Sequence, residues 1–155
     1  MINDWDFRTA ARTLNIALVP FPEDQDCRGV SRARELALRP GEPHPVFVGV
    51  HEMAHIVLGH TTLPGVIEAK FSGKSDTRIK QEHEIEAHTV AILVAEKLQL
   101  IDGIEWEEEA EIHYVYHNGG HNEAGIADHV LANADKIRSA AQIIVAAGLP
   151  QGVSV

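Results

Sequence analysis

The chain of 155 residues contains a single cysteine, Cys27. An intramolecular disulfide is therefore excluded, and so is a zinc site built from four cysteines. Aromatic residues make up only 5% of the chain, so any core has to come mainly from Ala, Val, Ile and Leu. Cations are in deficit: 13 Lys and Arg face 23 Asp and Glu, a formal net charge of −10. Phosphate backbones are bound by neutralising cations, so this balance weighs against nucleic acid as a partner. Arg28, Arg32, Arg34 and Arg39 lie close together, but Glu35 and Glu42 interrupt them. No run approaches the roughly 18 apolar residues of a membrane span. The acidic start Met1-Ile2-Asn3-Asp4-Trp5-Asp6 has no apolar stretch of the kind a secretory leader needs. A cytoplasmic protein without a membrane partner is the expectation.

Apolar residues account for 45% of the chain, enough to bury a core, and the length suits one domain over 1–155. Residues 3–14 read as a helix capped by Asn3 or Asp4, with Trp5, Ala10 (or Ala11) and Leu14 on its apolar face. Asn15 to Val19 reads as a strand stopped by Pro20 and Pro22. Gly29 to Leu38 reads as one or two half-buried edge strands, with a helix over 31–38 as the rival. Pro45 suits a first helical turn, the stretch from Val46 to Leu58 is strongly apolar, and Gly59 is placed to end a helix. Residues 61–80 read as a long, partly ordered connection. Gln81 to Leu100 reads as a helix with Ile85, Val90, Ala91, Leu93, Val94 and Leu98 on its apolar face. Glu105 to His117 reads as a further helix, Asn118 to Asn122 as a loop, and Ala127 to Ala147 as a last, Ala-rich helix.

Histidine is abundant, at 10 residues. His51-Glu52-Met53-Ala54-His55 is the pattern H-E-x-x-H, inside the apolar stretch 46–58. On a helix, residues four apart share a face, so His51 and His55 can grip one metal ion while Glu52 reaches its bound water as a general base. Chance produces the five-residue pattern in roughly 6% of shuffled chains of this composition, so its weight comes from context. Two histidines and a carboxylate on a buried-looking helix are costly unless something compensates them. The rival reading is an exposed helix whose histidines only cap and pack. A third ligand is needed. The extended pattern with Gly at 58 and His at 61 is absent, since Leu58 and Thr61 stand there. His60 reads as a helix-end histidine that could serve only if the chain doubled back. The better candidates lie in Glu82-His83-Glu84-Ile85-Glu86-Ala87-His88, although Glu residues in a first turn also suit the helix dipole alone.

An HExxH followed about thirty residues later by Glu-x-x-Ala-(acid or polar) resembles gluzincin-type metallopeptidases. The short form resembles the ImmA/IrrE family and the metallopeptidase domain of ArdC-type antirestriction proteins. The matching pieces are His51 to His55 with Gly59-His60 after them, and Glu84 to Ala91. The Ala-rich tail 132–147 is similar to the last helix of the ArdC-type domain. The resemblance implies Zn²⁺ held by His51, His55 and Glu84, with Glu86 as the rival to Glu84, and Glu52 as catalytic base. It puts His88 where an acid often contacts a ligand histidine. It also implies a protein or peptide substrate in the cytoplasm, a transcriptional regulator among the candidates, bound along the sheet edge.

Tyr114, Tyr116 and His117 are candidates for stabilising an oxyanion, beside the reading of ordinary surface or core aromatics. His113, His117 and His121 are spaced by four and are candidates for a second metal. His44 and His129 read as surface residues. The expected fold is α+β: a zincin-like minimal metallopeptidase domain with an N-terminal helix, a small, mainly antiparallel sheet from about 14–40, the HExxH helix, the third-ligand helix and C-terminal helices. The alternative to a peptidase is a non-cleaving module of the same fold that holds metal and acts by contact.

Overall fold

The computed structural model describes residues 4–100 and 123–152. Expectations for Glu105–His117, for the loop after it, and for His113, Tyr114, Tyr116, His117 and His121 lie outside the described residues. The fold is α+β, with helices packed on a three-stranded sheet. Helix α1 runs Phe7–Thr13. Its cap is Asp6, not Asn3 or Asp4: the Asp6 carboxylate accepts from the Thr9 N–H at 2.6 Å. Trp5 lies just outside the helix, and its indole N–H donates to the Ile144 carbonyl at 3.3 Å.

Strand β1 covers only Ala17–Leu18, shorter than expected. The chain then forms β2, Gly29–Arg32, and β3, Glu35–Leu38. The two-residue turn between them places Ala33 at φ +48°, a left-handed geometry that matches the twist of a tight hairpin. The strand order is β1-β3-β2. β2 pairs antiparallel with β3, and β1 pairs parallel with it. The sheet is therefore mainly antiparallel, as expected, with β1 added in parallel at one edge. β3 is the central strand and buries Leu36 and Ala37, while β2 keeps one edge open.

Helix α2, Pro45–Val57, carries Pro at its first turn, where the missing N–H costs nothing. Gly59, at φ +82°, takes the left-handed geometry that ends it. Helix α3, Leu63–Lys70, lies in the stretch expected to be only partly ordered. Helix α4, Asp76–Leu98, starts earlier than the sequence suggests, because the Ser75 hydroxyl caps the Arg78 N–H at 3.2 Å. The Ala-rich tail forms two helices, α5 over Glu123–Ala132 and α6 over Ala134–Ala147, parted at Asn133.

The core lies where α2, α4 and α6 meet. Met53, Val50 and Ile56 of α2, Val90 and Val94 of α4, and Ile137 and Ile144 of α6 are fully buried. Of the predicted face of α4, Leu93 alone is only half-buried. Close helix contacts depend on glycine: a Cβ at Gly49 would stand 2.5 Å from the Phe7 ring, and one at Gly148 would stand 2.3 Å from the Trp5 indole. No helix among the described residues is long and apolar enough to cross a membrane.

Candidate metal centre

Helix α2 is apolar on nearly every face, yet it carries His51 and His55 one turn apart, each only 8% exposed. Both rings point at α4. The His51 Nε2 lies 3.2 Å from the His55 Nε2 and 3.2 Å from the Glu84 Oε2. The His55 Nε2 lies 3.5 Å from the Glu84 Oε1. The sequence left Glu84 and Glu86 as rivals; the structure brings Glu84 to the two histidines. His51, His55 and Glu84 form the one group among the described residues whose donor atoms converge closely enough to hold a metal ion. Burial alone would push the Glu84 carboxyl up. The hydrogen bond to His51 and the His55 imidazole beside it outweigh that and hold it well below the ordinary carboxylate range.

Glu52 sits on the same helix but turns toward the sheet. Its Oε2 accepts from the Ser31 hydroxyl at 2.6 Å. Gly29 makes this possible, because any Cβ there would stand 2.8 Å from the Glu52 Cγ. Gly29, Ser31, Glu52, His55, Lys80 and Glu84 all line one cleft of about 430 Å³. Its walls are the open edge of β2 on one side and α3 with the start of α4 on the other.

Glu86 faces away from this group into a second polar cluster behind it. Its Oε2 is 2.8 Å from the His60 Nε2 and accepts from the Lys136 ammonium at 2.8 Å. Its Oε1 is 3.0 Å from the His129 Nε2. Burial would raise its carboxyl, but His60 and Lys136 prevail and bring it down to about 2. His60 does fold back past Gly59, yet it brings no donor atom to the converging group: it meets the far side of the His55 ring, its Nδ1 3.0 Å from the His55 Nδ1. Its ring stacks on that of His83, with centroids 3.8 Å apart and planes 4° from parallel. Burial lowers the His60 imidazole to about 4, against the opposing pull of Glu86.

His129 is not the surface residue its sequence context suggests, since its side chain is only 13% exposed and bonded to Glu86. His44 is half-buried at the cap position of α2. His88 is buried with its ring centroid 6.2 Å from that of His51 and edge-on to Phe47. Sequence reasoning missed Ser31, Lys136 and the part played by Gly29. Only the alternation of β2 could have put Ser31 on the Glu52 side, and nothing local marks Lys136.

No family model matches this chain, and no curated protein or solved structure matches it either.

Proposed function

We propose that this protein is a zinc-dependent metallopeptidase of the HExxH type that hydrolyses peptide bonds in a protein or peptide substrate. The observation that carries the reading is the convergence of the His51, His55 and Glu84 donor atoms, two of whose residues, His55 and Glu84, line the same open cleft as Glu52. The donor set fits zinc. With Zn–N and Zn–O bonds of about 2.0–2.1 Å and tetrahedral angles, neighbouring ligand atoms stand about 3.3 Å apart. Here the two Nε2 atoms are 3.2 Å apart, and the Glu84 carboxylate brings Oε2 to 3.2 Å from His51 and Oε1 to 3.5 Å from His55. Three protein ligands leave one position open, the pattern of catalytic rather than structural zinc. Zinc bound there would supply a Lewis acid that polarises the scissile carbonyl and makes water acidic enough to react near pH 7.

The chain's own residues do the rest. Glu52 takes the proton of the attacking water and hands it to the leaving amine. Ser31 donates to Glu52 and so fixes the position of that carboxylate. The open edge of β2 offers backbone N–H and C=O groups to an extended peptide, which would add to the sheet beside the cleft. The resemblance to the ImmA/IrrE family supports a transcriptional regulator as the substrate class.

Glu52→Gln tests the reading. It keeps shape and zinc ligands but removes the base, so cleavage of a quenched peptide mixture should vanish while zinc stays bound. Cleavage that survives Glu52→Gln would refute the assigned mechanism. Zinc binding without cleavage in the wild type would leave a non-cleaving metal module.

A further inference from the structure

We infer that His60 and Glu86 form a positioning relay that fixes the ring tautomer of His55 and so presents its Nε2 lone pair to the metal. The inference rests on the metal reading above for its purpose, but its geometry stands on its own. A neutral imidazole carries one N–H and one lone pair. Glu86 is a carboxylate and can only accept, so the His60 Nε2, 2.8 Å away, must be the donor. The His60 Nδ1 is then a lone pair. The His55 Nδ1, 3.0 Å from it, must therefore carry the proton. In a neutral His55 the remaining nitrogen, Nε2, then holds the lone pair, and this is the atom facing His51 and Glu84. A metal can bind only that lone pair. One buried carboxylate thus dictates, through two rings, which nitrogen of a ligand histidine is available.

Two further features hold the relay still. His83 stacks flat on His60 and sets its ring plane. His129 of α5 and Lys136 of α6 bond the two oxygens of Glu86, so the carboxylate cannot rotate away. The C-terminal helices, which supply no residue to the candidate metal group, are in this way tied to one of its ligands.

The test uses protein labelled with ¹⁵N at histidine. Long-range ¹H–¹⁵N correlation reads the His55 tautomer without metal, and competition with a chelator reads zinc affinity. His60→Phe keeps a ring against His83 and removes the acceptor. Glu86→Met keeps the length and removes the carboxylate. The wild type should show His55 protonated at Nδ1. Both variants should show a mixed or reversed tautomer and bind zinc about 10–100-fold more weakly, as loss of an outer hydrogen-bond partner does elsewhere. A His55 whose Nδ1 lacks the proton in the metal-free wild type would overturn the relay, and so would equal zinc affinity in all three proteins. A wild type that binds no zinc overturns the metal reading instead, and the tautomer spectrum still decides the relay.

Discussion

Replacing Gly29 by alanine adds one methyl group and removes no functional atom, yet it should disable the candidate base. The new Cβ would lie 2.8 Å from the Glu52 Cγ, 2.9 Å from the Val48 Cγ1 and 3.2 Å from the Glu52 Oε1. Ordinary contact begins near 3.4 Å, so the Glu52 side chain must yield by about 0.6 Å. Val48 is buried and has little room to move, which leaves Glu52 to take most of the shift. The carboxylate would also leave the Ser31 hydroxyl that now donates to it at 2.6 Å. Misplacement of a reacting group by about 1 Å can cost about 10²-fold, so a shift of this size should lower kcat/KM by about 10–100-fold, or about 1.4–2.7 kcal/mol. Gly29 is not in the left-handed region, so the strand backbone itself accepts alanine. The protein should stay folded and bind zinc as before, because His51, His55 and Glu84 are untouched. The assay pairs cleavage of a quenched peptide mixture with a zinc titration. An unimpaired rate would refute the placement of Glu52 as base. A loss of rate matched by a loss of zinc would refute the separation of base from ligands.

Met53 is fully buried between the histidines of α2, and Met53→Ala should cost about 2–5 kcal/mol in urea unfolding; a cost well under 1 kcal/mol would mean the α2–α4 core is misdrawn. Glu42 receives the Arg28 guanidinium, with the Nε–H donating at 3.0 Å, and this hydrogen bond holds its carboxyl below the usual range. A carboxyl lowered on folding adds stability that is complete above its unfolded pKa and is lost as pH falls through the folded one. Arg28→Gln should therefore lower stability at pH 7 and flatten the acid limb of the stability profile below the ordinary carboxylate range. Parallel acid limbs in the two proteins would refute that role.

Helix α2 was legible because its signals are local: Pro45 at its start, a strongly apolar run, and Gly59 at its end. Glu84 and Glu86 were not separable by sequence. Two residues along a helix of 3.6 residues per turn is about 200° of rotation, so the two carboxylates point to opposite sides. Which side faces α2 depends on how α4 packs, and that is a long-range matter. The same holds for His129 and Lys136, which reach Glu86 from helices more than forty residues away in the chain. Helix α3 escaped notice for another reason. It buries no residue, and it leaves Leu63, Ile67 and Phe71 exposed, so its pattern does not report a core face. The early start of α4 turns on one cap, Ser75, in a stretch that reads as a partly ordered connection. The mixed sheet follows from β3 returning between β2 and β1, an order that strand patterns alone do not encode.

The most direct test is the metal content of the purified protein by plasma mass spectrometry, alongside His51→Ala and Glu84→Ala. The account predicts about one zinc per chain in the wild type and its loss or sharp weakening in both variants, with circular dichroism unchanged. A wild type that takes up no zinc when it is supplied, or zinc that is held equally well without His51 or Glu84, would contradict it.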